Sequence, residues 1–382
     1  MPAAPGIDGL RIEVVGSIDD FLALKPQWDS LAASMERAVV FFTHDWIRIW
    51  IESFAADKPL YIILVHDGPQ LIGILPLYKE IYFTLKIFRQ VCLHSLTNSC
   101  SAVSGVIARQ ADMARVLEAV VSFLGREQRH FSRVILEFVP SDLGVVEPLQ
   151  QACAKGWAQI SVKPWNGSYY LDIDGDFEAY SKGLGKSSRK NLRQKTNWME
   201  KEGGVRREVC QDYDPEVFQR FLDLEDTGWK KELGRPIKCC PKSSEFYRCV
   251  ARTFGPKGQF LMLSLFVNNK PAAMYCVVTH NGTGHALKNA VNYDEQGFVR
   301  FSPGQMISQD MIRAFFERGL KRLDFYGCCY PYQSHWADKV NRKHEITILK
   351  RSDFLSRLCF WAKDRLKKHS SSCGSEDGLK KI

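Results

Sequence analysis

Apolar positions recur along this chain with two spacings, and the switches between them outline its elements. Alternation over residues 10–15 predicts a short strand. Leu24, Trp28, Leu31 and Met35 follow helical spacing and predict a helix over 21–39. Trp46, Ile47, Trp50, Ile51 and Phe54 make a second apolar helical face. Residues 60–66 read as a strand, Asp67-Gly68 as a turn and 71–78 as the return strand. Pro76, with no N–H to give a ladder, marks an edge or a bulge there. A helix over 111–125 and a strand over 133–139 follow.

The second half repeats this grammar. Residues 259–267 and 271–280 predict strands around the turn Asn268-Asn269, and Asn281-Gly282 turns into a third strand over 285–291. A helix over 304–319 buries Ile307, Met311, Ile312, Phe315 and Phe316, and a strand over 320–326 succeeds it. Residues 60–78 echo 260–278, and 136–140 echo 323–327. The order hairpin, helix, strand therefore occurs twice, which points to two related α/β units made by duplication.

At 382 residues the chain holds two to three domains of about 150 residues each. With 45% hydrophobic and 25% charged residues it is neither disordered, fibrous nor a disulfide-stapled scaffold. Its 12 cysteines have irregular spacing and no CxxC pair, which signals neither zinc nor a redox motif, so free thiols in a reducing compartment are expected. The first ten residues lack a basic and then apolar signal pattern, and no run reaches membrane-spanning length. A cytoplasmic location is expected, with peripheral membrane contact left open. HExxH, GxSxG and P-loop motifs are absent.

The net charge of +9 is uneven. Residues 181–207 carry nine Lys and Arg against two acids, with 182, 186, 189, 190 and 193 at helical spacing. Those charges share one helix face, with Leu192 and Trp198 available for packing. The face is either solvated or turned to a polyanion such as phosphate. Residues 342–368 carry nine Lys and Arg against three acids and read as a packed terminal helix with a wet face, or an interfacial one, running into a frayed tail.

Several motifs in order carry a resemblance. Ser302-Pro303-Gly304 opens a helix that ends at Gly319, followed by Asp324-Phe325, Gly327, Tyr332 and Trp336. Upstream stand Asp67-Gly68, Ile72-Gly73-Ile74-Leu75-Pro76-Leu77, a basic helix with Ser181, Ser188, Arg189 and Arg193, and Tyr293-Asp294-Glu295. Over residues 25–345 this resembles the CelD-like or BcsL-like acyltransferase domain of cellulose biosynthesis, in the GNAT-like superfamily with the FemAB aminoacyl transferases. The resemblance implies an α+β fold of two tandem GNAT-like units packed together. The expected division is a degenerate first unit over 10–165, a second over 166–350 that includes the basic helix, and a basic helix and tail over 351–382. It also implies an acetyl-CoA or other acyl-CoA donor and no metal. The acceptor would be an amine or hydroxyl on a sugar, lipid intermediate or small metabolite. Gln333 stands where the family pattern has a lysine, and neither half has the longer pyrophosphate loop of the superfamily.

The helix N-terminus at Ser302, Pro303, Gly304 and Gln305 offers free N–H groups to a donor pyrophosphate, with Arg189 and Arg193 as further donor contacts. Asp324 is a candidate base or a loop pin. Tyr332 and Tyr293 are candidate acids for the leaving thiolate, and His335 is a base or a surface residue. Trp229 and Trp336 either line the acceptor pocket or pack the core. A nucleophilic cysteine at Cys328-Cys329 or Cys239-Cys240 would need a paired histidine that sequence cannot place. Two alternatives stay open: an aminoacyl-tRNA donor, favoured by the basic helix, and a non-catalytic scaffold or nucleic-acid-binding protein.

Overall fold

The computed structural model describes residues 4–5, 9–84, 88–227 and 237–352. Trp229, Cys359, Cys373 and, past Ser352, the expected C-terminal helix and tail lie outside them. The first unit runs β1 (Ala4–Pro5), β2 (Leu10–Val15), α1 (Ile18–Ala23), α2 (Lys25–Ala33), α3 (His44–Phe54), β3 (Ile62–Asp67) and β4 (Gln70–Leu75). It continues through β5 (Leu77–Thr84), β6 (Phe88–Ser95), α4 (Met113–Arg126), β7 (Arg133–Pro140), α5 (Val146–Ala154) and β8 (Ala158–Asp172). The second runs α6 (Phe177–Gly183), α7 (Lys186–Glu202), β9 (Arg206–Cys210), α8 (Pro215–Glu225), α9 (Pro241–Phe254) and β10 (Phe260–Val267). After it come β11 (Lys270–His280), β12 (Thr283–Val291), α10 (Pro303–Glu317), β13 (Arg322–Asp324) and β14 (Lys339–Lys350).

Strands β1 to β4 form one sheet, and the other ten form a second in the order β5-β6-β7-β14-β8-β13-β12-β11-β10-β9. The middle of this sheet is pseudo-symmetric. β6 lies parallel to β7 and β7 antiparallel to β14; β12 lies parallel to β13 and β13 antiparallel to β8. β8 and β14 pair with each other from Lys339↔Tyr170 to Lys350↔Ala158. Each unit thus sends its last strand against the other's, as a duplicated pair of α+β units would. The two halves are joined through one sheet.

Burial follows the two-residue strand period. Along β10, Phe260 and Met262 face the larger core, which extends from the first unit to α8 and α9. Leu261, Leu263, Leu265 and Val267 face the smaller core beneath α10. Gly284 on β12 lets α10 lie close, because a Cβ there would come 2.0 Å from Cε2 of Phe315.

The structure corrects several expected elements. The helix over 21–39 is two helices, because Pro26 in the first turn of α2 cannot continue the hydrogen bonding of α1. At Pro76 the chain leaves the four-stranded sheet, and Leu77 begins β5 in the other. Residues 342–350 are strand rather than helix, since Ile346, Thr347, Ile348 and Leu349 are sandwiched between β7 and β8. Lys182 ends α6, separated from α7 at Leu184-Gly185, while Arg206 and Arg207 belong to β9. Trp198 is 38% exposed, and Leu192 and Met199 do the packing instead. The strand expected over 320–326 stops at Asp324, and Tyr326 and Gly327 follow at φ 49° and 89°.

Replacing Gly284 by Ala forces α10 away from β12 or rotates the Phe315 ring, at a cost of about 1–3 kcal/mol. Urea denaturation of Gly284→Ala is expected to show a lowered midpoint with an unchanged slope.

Candidate active site

The site is built on the divergence of β12 from β13. Their parallel pairing has three rungs, Thr283↔Arg322, Gly284↔Leu323 and His285↔Asp324, and then β12 continues to Val291 without a strand on that side. Along the remaining six residues, about 20 Å at the usual strand rise, no strand lies beside β12 among the described residues, and Thr227 Oγ1 donates to the Val291 carbonyl at 3.0 Å. The N-terminus of α10 sits at the far end of this wedge: a Cβ on Gly304 would lie 3.2 Å from Cγ2 of Val291. Ser302 adopts φ 46°, and its carbonyl accepts from the N–H groups of Gln305 at 2.8 Å and Met306 at 3.2 Å. Pro303 has no N–H, so Gly304 supplies the one backbone donor of this first turn that has no acceptor among the described residues. The helix dipole adds positive potential at the same point. In the first unit, Asp112 occupies the N-cap position of α4 without a side-chain bond to the helix, and its carboxylate pairs with Arg109 at 2.6 Å.

Tyr332 lies at the wedge in the short 3-10 turn Pro331–His335. Burial pushes its phenol up to about 12, with Gln333 and Asn289 on β12 giving opposing hydrogen bonds. Tyr275, directly across the ladder from Asn289, bonds to the same phenol. Tyr330 stacks on Tyr332 with ring centres 5.8 Å apart, and Tyr293 is 43% exposed. Gln333 is 2% exposed, and its Oε1 accepts from the Tyr330 N–H at 3.0 Å, closing a capping box. It serves the turn rather than a ligand.

Asp324 faces the other way. At the apex of the wedge it meets His285, Arg37 from the first unit and Lys343 from β14. Arg37 Nη2 is 3.4 Å from Asp324 Oδ2, and its Nη1 pairs with Asp142. With the amide of Asn341 turned oxygen-first, it accepts from both Nη atoms of Arg37 at 2.8 and 3.1 Å. Asp324 Oδ1 accepts from the Tyr326 N–H at 2.8 Å. Burial opposes its charge, but Lys343, His285, Arg37 and that N–H together hold the carboxyl below its ordinary range. Burial likewise lowers Lys343, and it lowers Arg37 to about 10, with Asp324 opposing in both. His285 is 1% exposed, and neither ring nitrogen has a partner among the described residues; burial pushes it down to about 3. Phe41 of the first unit packs on both His285 and Tyr326, at 4.8 and 4.7 Å between ring centres. The Tyr326 hydroxyl accepts from the Ala102 N–H and donates to the Cys100 carbonyl at 3.1 Å.

The structure thus gathers Ser302, Pro303, Gly304, Gln305, Tyr332 and Tyr293 around the end of β12. Asp324 lies on the opposite face, in a knot shared by both units. His335 is exposed at the end of its turn. Arg189 and Arg193 are exposed on α7, away from the smaller core that Leu192 and Met199 join. Trp336 is buried and its carbonyl accepts from the Tyr180 hydroxyl at 2.6 Å, a core position. Burial raises the Cys329 thiol, the wrong direction for a nucleophile, and the Cys328 sulfur accepts from Asn166 at 3.4 Å. Cys239 and Cys240 are exposed. Sequence patterns do not single out Arg37, His285, Lys343 or Asn289. A lone arginine in the first unit's loop and a lysine inside a basic run carry no local signal.

The buried charges have a pH signature. An unfolded His285 takes a proton near 6.5 and the folded one only near 3, so its contribution is complete above 6.5 and lost as pH falls toward 3. Asp324 acts in the same direction lower down, losing its contribution as pH drops below its ordinary 3.8. His285→Leu is expected to flatten the decline of unfolding free energy between pH 6.5 and 3, measured by urea titration at each pH. Asp324→Asn takes the carboxylate from buried Lys343, while Arg37 keeps Asp142, and is expected to cost about 3–5 kcal/mol at pH 7.

Residues 186–334, from α7 through the turn that bears Tyr332, match the family model of the acetyltransferase (GNAT) domain. A comparison with curated protein sequences gives no match. Among solved structures, FemX is similar over 91% of this chain and 99% of its own, with 11% identity and a TM-score of 0.62. A conserved protein of unknown function from Bacteroides thetaiotaomicron covers 89% and 100%, at 12% identity and a TM-score of 0.52. The C-terminal DUF2156 domain of a putative lysylphosphatidylglycerol synthetase from Agrobacterium fabrum covers 89% and 95%, at 10% identity and a TM-score of 0.51. Residues 186–334 therefore match an acetyltransferase (GNAT) domain, and the chain as a whole shares its fold with FemX.

Proposed function

We propose that the chain is an acyltransferase that moves an acyl group from an acyl-CoA to an amine or hydroxyl on a sugar, lipid intermediate or small metabolite. The observation that carries this reading is the open edge of β12 with the α10 N-terminus at its far end. An acyl-CoA is a long, extended molecule with phosphates at one end and a thioester at the other. The β12 edge can hydrogen-bond its amide arm, and Gly304 N–H with Ser302 and Gln305 can hold the phosphates. The thioester would then approach the tyrosines beside Asn289.

The acceptor attacks the thioester carbonyl, and the tetrahedral adduct collapses with loss of the thiolate; the acceptor's proton goes to solvent. Tyr332, its phenol raised to about 12, is protonated at neutral pH and suited to protonating that thiolate. Asp324 is a fixed anion in this reading. Held low by two cations, it orders Arg37, Lys343 and His285 at the wedge apex rather than taking a proton. In this reading the first unit leaves donor binding to the second and helps wall the acceptor side. A polysaccharide precursor is the acceptor that the CelD-like resemblance favours.

The second reading keeps the chemistry and changes the donor to aminoacyl-tRNA, as in the FemAB relatives. The exposed cations Lys186, Arg189, Lys190 and Arg193 on α7 favour it.

A thermal-shift series with CoA, several acyl-CoAs and charged tRNA separates the two. Saturating acyl-CoA is expected to raise the melting temperature by several degrees. Gly304→Glu, which puts a carboxylate at the α10 N-terminus, is expected to abolish that shift, and Tyr332→Phe to keep it while lowering turnover at least 100-fold. A shift with charged tRNA alone, fading with salt, establishes the second reading. No shift with any of them sinks both.

A further inference from the structure

A second feature lies at the other end of the large sheet. β5 is its outermost strand on the first-unit side. The Pro59–Tyr61 segment covers the outer edge of β5 only as far as Lys79. Beyond it, Ile81 is 47% and Phe83 63% exposed. The two share a face by strand alternation, and opposite them on β6 stand Val91 and Arg89. Tyr82, on the reverse face, bonds to His94 at 3.0 Å.

This face opens into a depression of about 450 Å³. Exposed Ile81 stands at it with Val91 and Phe131, and Lys79, Arg89, Arg129 and Lys350 are its cations. No Asp or Glu lines it among the described residues. Two of the cations are steadied on rings: Lys79 lies 4.8 Å from the Tyr61 centroid and Lys350 5.7 Å from that of Phe131. Glu80 alternates to the other face and is taken up by Lys58 at 2.8 Å.

We infer that this end of the β5–β6 hairpin docks the protein onto an anionic lipid surface. Charge complementarity selects the partner. Four cations, with no acid among the described lining residues, ask for clustered negative charge, and the exposed apolar side chains Ile81 and Phe83 beside them ask for a hydrocarbon layer. A free phosphate uses only the first property, whereas a bilayer rich in acidic headgroups uses both. Ile81 and Phe83 would enter the headgroup boundary while the four cations meet phosphates around them. The inference does not depend on the acyl-transfer reading, because no residue of the β12 wedge takes part.

The test is co-sedimentation of the full chain with phosphatidylcholine vesicles, with and without phosphatidylglycerol. Binding is expected only with phosphatidylglycerol and is expected to weaken as salt rises. Removing two surface cations in Arg89→Ser/Arg129→Ser should lower affinity about thirtyfold, and Ile81→Ser/Phe83→Ser should weaken binding at every salt concentration. If the apolar pair fails to fold, the exposed arginine pair decides alone. Absence of vesicle binding overturns the inference, as does equal binding to neutral vesicles or undiminished affinity in the arginine pair. Binding of an oligonucleotide in place of vesicles, lost in the arginine pair, also overturns it and assigns the surface to nucleic acid.

Discussion

The antiparallel pair of β8 and β14 is the constraint on which the rest of this molecule depends. Two strands from distant parts of the chain meet along almost their whole length, and each also pairs with a strand of the opposite unit. Neither unit can complete its sheet alone. The larger hydrophobic core follows the same logic, since it passes from the first unit into the α8 and α9 face of the second without interruption. The two halves are therefore tied to each other by backbone hydrogen bonds as well as by a shared core.

That union explains where the charged knot sits. β14 brings Lys343 and Asn341 to the apex of the wedge, β13 brings Asp324, and the loop after α2 brings Arg37. An isolated Asp324 in this environment would be neutral or displaced, because burial penalises its charge heavily. Cations from both units keep it ionised, so the wedge has its present shape only when the units are joined. The first unit thus contributes to this knot directly, through Arg37 on Asp324 and Phe41 beside His285.

Several features are legible in local pattern alone. The hairpins over 60–78 and 260–278, the helix begun by Ser302-Pro303-Gly304 and the clustering of charge on α7 all rest on spacings within about 20 residues, where propensity and periodicity act. Tyr332 is legible as part of a motif. Other features escape local pattern for identifiable reasons. Pro76 signals an irregularity, but periodicity cannot say that the chain changes sheets there. Residues 342–350 are masked by their charge, since the basic residues hide a run of β-branched apolar ones. Gln333 stands out as a departure from the motif, yet its role in capping a turn requires the Tyr330 N–H to be placed beside it.

By itself, the sequence determined that the chain holds two related units, where their hairpins and main helices begin, and that a helix opens at Ser302-Pro303-Gly304. These depend on near neighbours, whose geometry is set by backbone sterics and side-chain period. Only the tertiary structure decided that the units exchange strands, that Asp324 is turned away from Tyr332 and pinned by Arg37 and Lys343, and that four cations ring an apolar face at the end of β5. Those arrangements unite residues up to 287 positions apart. At such separations pairing is chosen by which strand edges and charges the whole fold leaves unsatisfied, and no local pattern records that choice.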